Sequence, residues 1–572
     1  MRRRVFLETC GLTAAAAFSP VLIQAAAAQS QRNYFNQEYK ADIVIVGAGL
    51  GGIAAAMAAC EMGARVMLTE TTDWIGGQVS QQGVPPDEHQ WIESIAGTSS
   101  YARYRTLVRQ YYRQHYPLTN SARDVQHLNP GNGAVSRICH EPKVSLAVLQ
   151  SMLAPAISSG QLILILNCSP VSATVQGDRI ESVRCLNANN NQYLELQAGI
   201  FIDATEEGDL LPISGTEYVI GAESQRQTGE PHAPAQADPA NIQALTYCFA
   251  IDHLEGEDHT IERPKMYDFW KSHVPPLDPP WSGPILSLSY SFPRTLAPKA
   301  LPFIPCSRQA PAPNTKDLNL WLYRRIIDRA NFKAGSYASD ISLINWPQND
   351  YMLGNITDVS ADERQKHLHQ AKQQSLSLLY WLQTEAPRPD GKQGWPGLRL
   401  RKDIMGTDDG LAKYPYIRES RRIQAEFTIL EQHLTVEERK KVVPDTGAQI
   451  LAQPFEDTVG IGYYHLDLHP STGGDNYIDT ASVPFQIPLG AMIPIRIENL
   501  LPACKNIGTT HISNGCYRLH PVEWSIGEAA GRLAAHSLNQ KLSPRQVRNK
   551  QQELTSFQEL LAKHGVALEW NL

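Results

Sequence analysis

The chain has 572 residues, with 51 Lys or Arg against 58 Asp or Glu, a net charge of −7. That balance leaves no electrostatic footprint for nucleic acid, and 42% hydrophobic content excludes a mainly disordered chain. Its 39 Gly and 38 Pro match ordinary usage and exclude collagen-like or low-complexity readings. The length suits several domains, or one large enzyme with interleaved ones. The nine cysteines are scattered without a CxxC pair, so no metal site and no disulfide scaffold is expected. Cys504 and Cys516 could pair in an oxidising compartment; buried free thiols are the preferred reading.

Residues 1–28 read as a targeting segment. Arg2, Arg3 and Arg4 are followed by a mildly apolar, Ala-rich run, and Ala26 and Ala28 give a small-x-small cleavage site before Gln29. Arg3-Arg4-Val5-Phe6-Leu7 resembles the twin-arginine export motif, with Arg2 in place of the usual Ser or Thr and Glu8 in place of Lys. A Sec signal is the alternative. Thr13, Ser19, Pro20 and Gln24 interrupt the run, and no other segment offers 18 uninterrupted apolar residues. The mature chain is therefore expected to be exported, periplasmic or otherwise extracytoplasmic, without an integral membrane segment.

Asp42–Val46 is a β-branched run of the kind buried in a parallel sheet. Gly47-Ala48-Gly49-Leu50-Gly51-Gly52 follows at once, then an Ala-rich helical stretch to about Met62, then a second strand ending at Glu70. Gly47 allows the tight turn, Gly49 lets backbone N–H groups approach a pyrophosphate, and Gly52 lets the helix pack on the strand. Glu70 can accept hydrogen bonds from ribose hydroxyls. Trp74-Ile75-Gly76-Gly77-Gln78 then offers a backbone able to pass close to a second part of the ligand.

Farther on, residues 144–153 read as helix, residues 162–198 as three short strands, and 200–205 as a buried strand ending in a polar turn. Residues 216–450 carry many Pro and aromatic residues and no second glycine fingerprint. Within them 361–385 has helical periodicity, with Leu368, Ala371, Leu378, Leu379 and Leu382 on one face; the Pro-rich stretches 275–283 and 310–313 read as loops. Arg418, Glu419, Arg421 and Arg422 form a charged patch that either holds a substrate carboxylate or builds a salt-bridged helix. His465, Asp467 and His469 share a strand face, and Asn345, Asn349 and Asp350 are loop caps or site residues. Tyr517, Arg518, His520 and Glu523 precede a stretch where Gly527, Ala530 and Gly531 permit close helix packing.

Gly47–Gly52, Glu70, Trp74–Gln78, Phe201–Asp209, Tyr414–Arg422, Tyr464–His469 and Glu498–Gly531 together resemble the FAD-dependent oxidoreductase family. These are two-dinucleotide-binding-domain flavoproteins, distant kin of fumarate reductase flavoproteins. The resemblance implies an α/β fold: a Rossmann-like FAD-binding domain of the glutathione-reductase type with a large inserted mixed α+β substrate or cap domain. It divides the chain into 41–215 (FAD-binding, N-terminal part), 216–450 (inserted cap), 451–540 (return to the FAD-binding domain) and 541–572 (helical tail). FAD is the implied cofactor, held by Gly47, Gly49, Gly51, Gly52, Glu70, Gly76, Gly77, Gln78, Asp203, Ala204, Thr205, Gly527 and Ala530. Glu206 stands where the family's Asp-Ala-Thr turn continues with Gly. Non-covalent binding is expected, with His89 the candidate if a covalent bond exists. His469 is the expected acid/base, with Arg418 and Arg518 fixing a small organic substrate. The electron acceptor is left open. The competing reading is a non-catalytic flavin-binding or carbohydrate-associated surface protein that uses the aromatic-rich insert as its platform.

Overall fold

The computed structural model describes residues 37–307, 318–443 and 451–572; the leader and the 310–313 stretch lie outside the described residues. Five parallel strands form the central sheet in the order Leu500–Pro502, Ile200–Asp203, Ile43–Val46, Val66–Glu70, Leu162–Leu166. Ile43 and Ile45 of the first strand face a core shared with helices Leu50–Glu61 and His520–Gln540. Val44 and Val46 face the opposite way, onto a three-stranded antiparallel meander of Cys168–Gln176, Arg179–Asn187 and Gln192–Gln197. A sheet covered on both faces needs strands apolar at every position, which explains the unbroken Ile-Val-Ile-Val run.

Where the sequence suggested three strands over 162–198, there are four. Leu162–Leu166 completes the central sheet, and Asn167, at a left-handed φ of 54°, separates it from the meander. Asn is one of the few non-glycine residues that accept this conformation locally, so one asparagine divides what reads as a continuous apolar run. The helix expected at 144–153 extends over Pro142–Ser158.

Register places Val46, Thr69, Asp203 and Pro502 together at the carboxyl edge. Above that edge the two long helices meet through glycines. A Cβ on Gly527 would lie 2.0 Å from the Gly51 carbonyl oxygen, and one on Gly531 would lie 2.2 Å from that of Ala55. A Cβ on Gly51 would fall 1.6 Å from the Ala503 oxygen, and one on Gly52 2.0 Å from that of Gly47.

The cap has its own core around an antiparallel sheet ordered Arg325–Ile327, Ile341–Ile344, Phe249–His253, Leu398–Leu400. Helix Ala361–Thr384 covers it, started by a reciprocal Ser360–Glu363 cap and burying Ala371, Leu378, Leu379 and Leu382. Trp270, Trp281, Trp321, Trp346, Trp381 and Trp395 are all buried. These tryptophans are core and do not themselves form a surface platform. A hairpin, Leu466–Leu468 with Ile478–Thr480, precedes the return to the sheet, and helices Pro544–Asn549 and Gln551–Lys563 follow the long helix. Among the described residues no helix is long and apolar enough to cross a membrane.

The helix contact gives a direct test. Gly527→Val forces side-chain atoms into the Gly51 backbone, so it should destabilise the fold by about 1–3 kcal/mol or more, the usual cost of overpacking a rigid contact. Thermal unfolding of the purified variant measures this; an unchanged midpoint would show that the two helices part easily.

Candidate active site

The first half of the site is the groove over the sheet edge, lined by Gly47, Gly49, Glu70, Ala204, Thr205 and Tyr414 among others. Gly47 has φ 97°, and a Cβ there would sit 2.2 Å from the Ala204 oxygen, so only glycine makes this turn. Glu70 is buried with Oε2 accepting from the Ala48 N–H at 3.0 Å and Oε1 from the Thr72 N–H at 2.9 Å and Gln81 Nε2 at 3.0 Å. Burial raises its pKa in spite of these donors. Gly76 and Gly77 both have positive φ, and the Gly76 N–H donates to the Ala48 oxygen at 2.8 Å, which brings the second glycine loop against the first.

The other fingerprint residues divide by what they touch. The Asp203 carboxylate turns inward and accepts from Thr205 N–H (3.0 Å), Thr205 Oγ1 (2.7 Å) and Leu210 N–H (3.0 Å), so it shapes the turn that presents Ala204 and Thr205. Gly51, Gly52 and Gly527 belong to the backbone contacts described above, and Ala530 is wholly buried on the same helix. The backbone N–H groups of Gly49 and Leu50, at the start of helix Leu50–Glu61, have no partner among the described residues. A helix N-terminus with free N–H groups is a seat for phosphate. Gln78 Oε1 and both amide atoms of Gln82 are likewise buried and unpartnered. These groups fit a dinucleotide whose far end is rich in hydrogen-bonding atoms, as an isoalloxazine is.

The second half is a cavity of about 340 Å³ between the cap and the 466–480 hairpin. Arg418, His469 and Arg518, from three separate segments, all line it. Arg418 is 1% exposed; its Nη2 donates to Asp350 Oδ1 at 2.9 Å and its Nη1 to the Ala244 carbonyl at 2.7 Å and Thr246 Oγ1 at 2.8 Å. Asp350 Oδ2 takes the other side, 2.6 Å from His469 Nδ1. This pairing assigns the imidazole proton to Nδ1 and leaves Nε2 as the acceptor, 3.8 Å from Asp467 Oδ2. Burial and the Arg418 charge lower the His469 pKa below its ordinary value, partly offset by Asp350 and Asp467. Arg518 donates to Asp467 Oδ2 and to its carbonyl, both at 2.9 Å, and to the Tyr416 hydroxyl at 3.0 Å. The neighbouring cations hold Asp467 down to about 2.

Gln78 joins the two halves. Its Nε2 donates to the Arg518 carbonyl at 3.0 Å and to the Glu523 carboxylate.

The sequence leaves Asn345, Asn349 and Asp350 open between loop caps and site residues; the structure sets Asn345 on the cavity wall and Asp350 at the centre of the array. Asn349 does cap, its Oδ1 accepting the Trp346 N–H at 2.9 Å, while Asp350 faces the site. Sequence reasoning missed Arg324, which lines the cavity and pairs with Asp87 at 3.4 Å. The rest of the charged patch is structural: Glu419 binds Arg422 at 2.5 Å and His511 at 2.9 Å, and Arg421 reaches Asp209 and Asp358. His520 Nδ1 accepts the Asp87 N–H at 3.0 Å, and burial lowers its pKa to about 4. His89 packs its ring against Trp570, centroids 5.2 Å apart. His465, Asp467 and Asp479 bring ligand-type atoms within 4.8 Å of one another, but Arg294 and Arg518 ion-pair the two carboxylates. Cys504 and Cys516 are buried thiols.

The sequence profile of the FAD dependent oxidoreductase family matches residues 42–561. The chain belongs to that family. FAD is accordingly its cofactor. Similar solved structures include the E. coli quinol fumarate reductase subunit FrdA, at 11% identity over 92% of this chain and 74% of that one, TM-score 0.31. A geranylgeranyl bacteriochlorophyll reductase-like protein of Thermoplasma acidophilum is 9% identical over 92% and 85%, TM-score 0.30. L-proline dehydrogenase from P. horikoshii is 14% identical over 32% of this chain, TM-score 0.18, and the chain spans about a quarter (24%) of its length. No curated protein matches the chain in sequence.

Two outcomes follow for this oxidoreductase. Gly49→Val places side-chain atoms about where Glu206 and Glu523 already crowd the groove, 3.1 and 3.2 Å from a Cβ, so the purified variant should lose its flavin absorbance; full FAD occupancy would refute the groove assignment. Asp350→Asn leaves Arg418 buried without its carboxylate, and removing one partner of a buried pair costs on the order of 3–5 kcal/mol. Chemical denaturation should show that loss, whereas a stability within 1 kcal/mol of wild type, on the order of a minor surface change, would mean Arg418 is paired elsewhere.

Proposed function

We propose that the protein is an exported enzyme that moves a hydride between bound FAD and a small anionic organic substrate in the 340 Å³ cavity. One observation carries this reading: two buried guanidiniums and an imidazole, its Nε2 without a hydrogen bond and 3.8 Å from Asp467, converge on one cavity, and Gln78 beside the glycine loops bonds to the Arg518 carbonyl. Bound FAD supplies the hydride acceptor or donor. The chain's own residues do the rest. Arg294, Arg324, Arg418 and Arg518 line the cavity paired with Asp479, Asp87, Asp350 and Asp467, and Lys299 adds a positive charge that these carboxylates do not balance, which favours an anion. Arg418 is pinned by Asp350, so a substrate carboxylate meets a guanidinium already oriented, and misplacement by ~1 Å can cost on the order of 10²-fold. Tyr416, Tyr464 and Trp346 wall the cavity and limit water. His469 Nε2 takes the proton that leaves the substrate as hydride departs, or returns it in reduction. Export is supported by the Arg3-Arg4 pair ahead of the Ala-rich run.

The test is an anaerobic screen of organic acids, followed by bleaching of the flavin. His469→Ala should keep the flavin spectrum and slow bleaching by roughly 10²-fold, the scale of a lost acid/base; unchanged kinetics would leave His469 a strand-end brace. The His469 pKa is lowered, so the neutral base is present at pH 7, and dehydrogenation should fail only as pH drops through a value below 6.5. An acid limb above 6.5 would contradict the assignment. Replacing Arg3 and Arg4 together with Lys should trap an FAD-loaded cytoplasmic precursor; normal processing would favour a Sec signal.

A further inference from the structure

The groove holds more carboxylate than a diphosphate ligand explains. Glu206 Oε2 is ion-paired with Lys505, itself 1% exposed, while Glu206 Oε1 is buried without any partner. That orphan oxygen lies 3.1 Å from the position of a Cβ on Gly49 and 2.8 Å from one on Gly77, so it stands between the two glycine loops. Glu523 flanks the same spot: its Oε1 is 3.2 Å from the Gly49 Cβ position and accepts the Gly51 N–H at 3.3 Å. Its other oxygen is held by Gln78. A buried acceptor without a donor is costly, and a diphosphate has no hydrogen to give. The hydrogens FAD can give are on its ribose and ribityl hydroxyls, the flavin imide and the adenine amine. Glu70, at the end of the second strand, stands at the ribose position. Glu206 Oε1 instead lies beside Gly49 and Gly77, where the hydroxyls bordering a pyrophosphate on its other side are those of the ribityl chain.

We infer that Glu206, flanked by Glu523, receives the ribityl hydroxyls of FAD, and that Lys505 is the counter-ion that allows a carboxylate to stay there. This rests on the groove holding FAD and is independent of the role given to His469.

The experiment refills apoprotein with FAD and with FAD analogues lacking one ribityl hydroxyl, reading affinity by flavin fluorescence. Glu206→Ala should weaken FAD by about 10-fold or more, the scale for losing a hydrogen bond to a charged group. The same variant should bind one of the deoxy analogues no worse than wild type does. The paired replacement Glu206→Ala with Lys505→Met removes the buried charges together and should show the same hydroxyl-dependent loss, which separates a lost contact from a fold damaged by an unpaired lysine. A change in FAD affinity under about 2-fold, or equal losses for FAD and every analogue, would overturn the inference. Wild-type protein that takes up no FAD would instead sink the groove assignment.

Discussion

The Asp350 side chain is fully buried, and its two oxygens are claimed by Arg418 and by His469. A carboxylate so placed is stable only if its partners stay in position, because an unpaired buried charge costs far more than the pair gains. The requirement propagates outward. Arg418 must reach from the segment after Tyr416, His469 must arrive from the hairpin, and Asp350 must enter from the cap. Three parts of the chain, far apart in sequence, are thereby held around one cavity. Desolvation that would otherwise be a liability becomes the means of fixing an imidazole tautomer.

The cofactor groove depends on a different constraint, close approach of backbone to backbone. Glycines at 47, 51, 52 and 527 bring the turn, the sheet edge and the two long helices closer than any side chain would permit. What remains is a narrow groove beside free N–H groups at the helix start, with the unpartnered amide atoms of Gln78 and Gln82 buried nearby in the chain. Gln78 lies between the glycine loops and the Arg518 segment, its Nε2 donating to the Arg518 carbonyl at 3.0 Å.

The α/β core was legible because its signals are local: a β-branched run, a glycine turn and an acid at the next strand's end. Asn167 was not, since one residue in the left-handed region divides two strands without altering the hydrophobic pattern. Arg418, His469 and Arg518 were picked by segment, and the structure brings them to one cavity. Only the nearness of Asp467 to His469 was readable, as a shared strand face; the contacts of Asp350 with Arg418 and His469 and of Asp467 with Arg518 span 51 to 119 residues and leave no spacing to read. The tryptophans of the insert suggested a surface platform; packing places them inside, since a cap of this size needs its own core.

The central claim is that the cationic cavity abuts the flavin. Titrating the FAD-loaded protein with a series of small carboxylates, by calorimetry and visible difference spectroscopy together, addresses it directly. Saturable binding accompanied by a perturbed flavin band with the same dissociation constant is the predicted result. Binding that leaves the flavin spectrum unmoved, or no carboxylate binding at all, would contradict the account.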